Sequence, residues 1–203
     1  GGRRDPLAVY GPPGTRDMME NMRKAFAWDT QSRMKEQNLP MKGNEVASTD
    51  FAEGVVFDRS GVKVTAFSVD HGASNAPAFG FRVEYDGRAV AFSGDANPSE
   101  GLINAARGAD LYIQQVVMGF NAGPGAARGV RTDPEQAGEM FTKARPRLAA
   151  YSHIAFFSAA GRGVPNEQDL VNETRKTYAG PLVVGEDLMT FFVGKKDVTY
   201  KQN

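Results

Sequence analysis

Residues 88–100 read "RAVAFSGDANPSE". The apolar run Ala89–Phe92 has the character of a buried strand, and it breaks at Ser93-Gly94-Asp95, where a lone carboxylate surfaces. Gly-Asp followed by Asn-Pro is ordinary turn chemistry. The same arrangement is how many α/β folds present the groups that act on ligands, at the end of a strand held by the sheet behind it. The flanking sequence decides between the two readings.

Upstream, Phe79–Tyr85 and Arg88–Phe92 flank Asp86-Gly87, the strongest short hairpin signal. Gly54–Phe57 and Val62–Phe67 form a second strand pair around Asp58-Arg59-Ser60-Gly61. Downstream the pattern changes to alternating helices and strands. Pro98–Ala106 predicts a short helix and Asp110–Val117 a buried strand. Asp133-Pro134-Glu135 opens a helix running to about Ala144, with a cap and a proline in the first turn. Leu148–Tyr151 is another buried strand, Asn166 caps a helix reaching Tyr178, and Leu182–Val184 and Met189–Val193 finish the chain as strands. Hairpins followed by βα units predict an α/β sandwich with mixed sheets.

Nearer the start, Leu7–Tyr10 reads as a strand and Thr15 as the cap of a helix whose Met18, Met22 and Phe26 share one core-facing stripe. The polar, aperiodic stretch 31–50 predicts a long loop. "MGFNAGPGAARG" (118–129), rich in Gly and Ala, predicts a mobile loop; a phosphate cradle is the alternative, disfavoured because no Lys-Ser/Thr or helix onset follows in register.

Composition narrows the function classes. Basic and acidic residues balance at 24 each over 203 positions, so no broad positive field is available to hold nucleic acid by counterion release. No run of about 18 apolar residues is present to span a membrane. Cysteine is absent, which removes disulfides and thiolate metal sites, and the only histidines are His71 and His153. The chain opens Gly1-Gly2-Arg3-Arg4, which predicts a tag remnant or the loss of upstream residues.

Three motifs then fall into one context. "VTAFSVDHG" (64–72) ends an apolar strand at Asp70-His71, "AVAFSGD" (89–95) ends one at Asp95, and "LAAYSHI" (148–154) ends one at His153. Imidazole and carboxylate are the ligands that zinc and similar divalent ions prefer. A carboxylate has two oxygens, so one aspartate can bridge two metals about 3.5–4 Å apart, as two-metal hydrolysis requires. The three side chains are therefore expected to converge at one sheet edge, Asp95 between the imidazoles, with separations of about 4–8 Å.

"VDHG" (69–72), residues 77–113, "TDPEQAGEMFTKARPRLAAYSHI" (132–154), "GPLVVGEDLM" (180–189) and "PLAVYGPPGT" (6–15) together resemble the metallo-β-lactamase-fold hydrolases, in the branch similar to ribonuclease Z. The similarity is collinear from about Pro6 to Val193. It implies a single α/β domain over 1–203, an αββα sandwich with mixed sheets and a dinuclear site along one edge. It also implies that His71 binds a first metal, that Asp95 bridges both and that His153 binds the second. The cofactor implied is zinc or another divalent metal, and the substrate a small molecule with an ester-like bond, whether phosphodiester, sulfate ester or carboxylic ester.

The sequence also departs from the family's pattern. The family's His-x-His-x-Asp-His, which lies upstream of "PLAVYGPPGT", is absent, so the domain is expected to be incomplete at its N-terminus. Gln114-Gln115 stand where the family shows His-Glu, Arg131 where it carries a His, and Ala96 where it carries a Thr. The tight "FRVEYDGRAV" (81–90) hairpin occupies the interval where tRNA-processing relatives carry a long RNA-binding arm, which disfavours tRNA. The expectation is a metal-dependent hydrolase in full-length form, inactive as this chain alone; the alternative is a non-catalytic, degenerate module of the same fold. Missing upstream strands would leave an open sheet edge, so either those strands exist or the chain forms a homo-oligomer.

Overall fold

The computed structural model describes residues 3–119, 131–158 and 163–202, and divides into two units, Gly1–Ala52 and Glu53–Asn203. In the first, β1 (Leu7–Gly11) pairs in parallel with β2 (Val46–Asp50), and α1 (Thr15–Ala25) and α2 (Ala27–Glu36) make the crossover. The loop expected over 31–50 is thus corrected: it contains the end of α2, a 3₁₀ turn at Met41–Asn44 and all of β2. In α2 only Met34 is buried, so there is no apolar period to read, although Asp29 and Arg33 pair one turn apart at 3.0 Å. The cap of α1 differs as well. Gly14 is the N-cap, and the Asp50 carboxylate, arriving on β2, accepts from Gly14 N at 3.4 Å and Arg16 N at 2.9 Å. Thr15 Oγ1 turns back to donate to Pro12 O. The Met18, Met22 and Phe26 stripe, expected in a core, is 52, 47 and 62% exposed.

The second unit carries a seven-stranded mixed sheet. Its strands are β3 (Gly54–Arg59), β4 (Val62–Val69), β5 (Ala78–Tyr85), β6 (Arg88–Phe92), β7 (Leu111–Met118), β8 (Leu148–Phe156) and β9 (Leu182–Val184), in spatial order β3-β4-β5-β6-β7-β8-β9. The pairs β3–β4, β4–β5 and β5–β6 are antiparallel; β6–β7, β7–β8 and β8–β9 are parallel. The switch falls where the hairpins give way to α3 (Glu100–Ala106), α4 (Pro134–Ala144) and α5 (Glu167–Thr174), because parallel neighbours need a crossover. This is the α/β class, with a mixed sheet, that the sequence predicts.

Helix starts follow the capping residues. Ser99 accepts from Leu102 N, and Asp133 and Asn166 each close a capping box with Gln136 and Asp169. The first and last of these helices are shorter than the expected 98–106 and 166–178.

Alternation along the strands sorts two apolar layers. Ala89, Ala91, Tyr112, Ala149 and Tyr151 pack with Leu102, Ile103, Met140, Phe141 and Leu170 from the helices. The intervening Leu111, Leu148, Ala150 and Val183 face the other way, against residues of β10 (Thr190–Val193) and β11 (Val198–Lys201), a hairpin whose second strand the sequence reading lacked. Phe141, fully buried, centres the helical layer, its ring centroid 5.2 Å from Tyr112, 5.5 Å from Tyr151 and 5.3 Å from Tyr178. Among the described residues no helix is long and apolar enough to cross a membrane. Residues 120–129 of the loop expected at 118–129 lie outside the described residues; Met118 ends β7.

Candidate functional site

Three strands of the large sheet deliver the side chains. Beyond β4, Asp70 Oδ1 accepts from Gly72 N at 2.9 Å, a two-residue turn that Gly72 permits with φ 79° and that presents His71. Beyond β6, Ser93 N still bonds Ile113 O, and then Gly94 turns the chain with φ 65° and releases Asp95. A Cβ on Gly94 would stand 2.7 Å from Phe79 O, so the turn needs glycine for space as well as for conformation.

His153 arrives differently. The sequence has the strand ending at Tyr151, but β8 runs on to Phe156 with a register break: Ser152 pairs Gln115 and Ile154 pairs Val116. His153 is the extra residue of this bulge, with φ 50°. A bulge bends the strand and re-aims one side chain. Nothing in an apolar/polar pattern announces it.

The three groups meet at one atom. Oδ2 of Asp95 lies 3.3 Å from Nε2 of His71 and 3.3 Å from Nε2 of His153. That is closer than the expected separation. The side chains are 23% (His71), 36% (Asp95) and 71% (His153) exposed. A strong N–H···O bond is about 2.7–3.2 Å. Two ligands each about 2.0–2.2 Å from a tetrahedral zinc stand roughly 3.3–3.5 Å apart. The donors thus fit a divalent ion in kind and in spacing. They fall short in number: among the described residues, no group of three or more His, Cys, Asp or Glu is arranged to hold a metal ion by itself. Nδ1 of His71 is buried and, among the described residues, has no hydrogen-bond partner.

Beside the cluster is a cavity of about 450 Å³ bounded by Asp95, His153, Ser93, Gln115, Phe92 and Ile113. Gln115 is 3% exposed and its Oε1 is unpartnered. Gln114 is fully buried and does something else. It accepts from Tyr112 Oη at 2.7 Å and donates to Gln115 O at 2.9 Å and to Thr132 Oγ1 at 3.2 Å, while Thr132 donates to Ala96 O. The glutamine at 114 therefore joins β7 to the loop after Asp95 and to the start of α4. Burial pushes the Tyr112 phenol far above its ordinary pKa, so it serves as a permanent donor.

The sequence reading missed Asn97, which it took for turn chemistry. Asn97 Nδ2 donates to Asp70 Oδ2 at 2.8 Å, and Arg131 N donates to Asn97 Oδ1 at 2.6 Å. The Asn97 bond, followed by that from Gly72 N, holds the Asp70 carboxyl below the usual carboxylate range.

A family profile described as "Beta-lactamase superfamily domain" matches residues 2–154, a span that contains His71, Asp95 and His153. The chain belongs to the beta-lactamase superfamily. Within that superfamily it is a metallo-β-lactamase-fold, ribonuclease Z-like protein. Over 112 residues, 55% of this chain, it is 35% identical to "Ribonuclease Z" of Mycolicibacterium gilvum, and the match spans 39% of that relative's length. Two solved structures share the fold. Human tRNase Z, short form, superposes with a TM-score of 0.58 at 19% identity, covering 93% of this chain and 67% of that one. The Zn²⁺-bound PqqB from Methylobacterium extorquens superposes with a TM-score of 0.60 at 16% identity, covering 90% and 63%.

Proposed function

We propose that His71, Asp95 and His153 are the metal-binding core of a phosphodiester hydrolase centre, with His71 and Asp95 holding one divalent ion and Asp95 and His153 the other. The observation that carries this reading is the single carboxylate oxygen 3.3 Å from both imidazoles. A divalent ion held there, zinc or manganese, would supply Lewis acidity toward a phosphoryl oxygen. The protein's own part is positional. Asp95 offers the oxygen common to both imidazoles, the bulge at residue 153 aims the second imidazole, and Gln115 lines the cavity wall.

On substrate, the matched relatives' name, ribonuclease Z, puts an RNA phosphodiester ahead of the small ester expected from the sequence. A small phosphodiester is the second reading, favoured by the two-residue turn Asp86-Gly87, which leaves no arm between β5 and β6, and by the zero net charge.

Each ion meets at most two of these ligands, where a catalytic zinc site has three. This chain by itself therefore takes up zinc weakly and does not turn substrate over. Calorimetry with zinc and manganese, alongside assays on an RNA oligonucleotide and a bis-aryl phosphodiester, tests this. The expected result is weak uptake that Asp95→Ala removes, without turnover. Uptake indifferent to Asp95→Ala overturns the site, and metal-dependent turnover by this chain overturns its inactivity.

A further inference from the structure

Asn97 stands two residues past Asp95, 9% exposed, and bonds two other segments at once. Its backbone N–H donates to Asp70 O at 2.7 Å and its Nδ2 to Asp70 Oδ2 at 2.8 Å. Its Oδ1 accepts from Arg131 N at 2.6 Å, just ahead of α4. Asp70 uses its remaining oxygen to hold Gly72 N, so the turn that presents His71 is gripped on both sides of the histidine. His71 has little else to orient it. Among the described residues its Nδ1 is unpartnered, and Asn75 Nδ2 donates to its carbonyl at 3.0 Å.

We infer that Asn97 is a positioning residue, whose buried side-chain amide locks the His71 turn to the Asp95 loop and so sets the separation between His71 Nε2 and Asp95 Oδ2. The inference rests on the metal-site reading above and goes beyond it in assigning a function to a residue that binds no metal. His153 lies outside this lock, since its direction comes from the bulge in β8. Disturbing Asn97 therefore moves one half of the cluster and spares the other.

The chemistry permits an exchange test. Asn97→Asp keeps the acceptor for Arg131 N but sets a carboxylate against Asp70. Asp70→Asn offers one oxygen where two donors, Gly72 N and Asn97 Nδ2, need one each. In the double variant Asp70→Asn/Asn97→Asp these three side-chain bonds are restored. The amide placed at position 70 accepts from Gly72 N and donates to the carboxylate placed at position 97, which still accepts from Arg131 N. The two single changes alter net charge in opposite directions, so a purely electrostatic effect on a cation would have opposite signs in them.

The probes are the two imidazoles, followed by long-range ¹H–¹⁵N NMR on the full chain, and zinc titration. With only two histidines in the sequence the signals are assignable by His153→Gln alone. Each single variant is expected to shift the His71 signals while leaving those of His153 in place, and to weaken zinc uptake about ten- to hundredfold. The exchange variant is expected to restore both. Single variants with unchanged His71 signals, or with His71 and His153 displaced alike, overturn the inference, as does an exchange variant no better than the singles. Should the unaltered chain bind no zinc, the metal reading fails on its own, while the imidazole signals still decide the role of Asn97.

Discussion

Replacing Gly94 by alanine probes the turn that releases Asp95. Gly94 has φ 65°, a conformation costing an L-residue about 1–2 kcal/mol. The new methyl would also stand 2.7 Å from Phe79 O, a backbone atom in the β4–β5 ladder that cannot swing aside. Overpacking of this kind costs about 1–3 kcal/mol, for a total of roughly 2–5. Gly87 is the natural control: its φ is 72° and nothing lies within 4 Å of its would-be Cβ, so Gly87→Ala loses only the conformational part. In a chain of this size 1 kcal/mol moves Tm by about 2–4 °C, which places Gly87→Ala about 2–8 °C below the parent and Gly94→Ala about 4–20 °C below. Thermal melts and urea unfolding followed by circular dichroism measure both. Zinc uptake should fall in Gly94→Ala alone, since only there does the strain bear on Asp95. Equal losses of stability in the two variants would refute the steric argument.

Two further outcomes follow from the core. Phe141→Ala removes a fully buried ring in contact with three tyrosines and should cost about 3–5 kcal/mol, read as a lowered urea midpoint with unchanged slope. Burial raises the phenol pKa values of Tyr112, Tyr151 and Tyr178 above the ordinary value near 10. Their stabilising contribution is present below pH 10 and is lost as pH rises through the folded-state values, so unfolding in strong alkali should release a late class of tyrosinate absorbance. Ionisation of all tyrosines in one step, before the far-ultraviolet signal is lost, would contradict it.

Much of the large sheet was legible because hairpin turns, capping residues and strand alternation are local signals. Asp86-Gly87, Asp133-Pro134 and Asn166 each sit within a few residues of the structure they specify. The failures have a common physical origin in distant partners. Asp50 caps α1 from a strand more than thirty residues on, and β2 exists because β1 is there to pair with it. The apolar stripe of α1 has helical spacing, but spacing alone does not bury a face. In the site, His71, Asp95 and His153 were visible as ligand-type residues at strand ends. The bulge that aims His153 and the amide of Asn97 that grips the His71 turn were not, since both are defined by neighbours on other strands and loops.

The central claim is that one oxygen of Asp95 unites the two histidines in a divalent-metal site. Zinc titration of the full chain, followed through the Nε2 signals of His71 and His153, tests it most directly. Both imidazoles should respond saturably to zinc, and Asp95→Ala should abolish the response of each. Signals that stay fixed at millimolar zinc, or a response confined to the more exposed His153 and unchanged by Asp95→Ala, would contradict the claim.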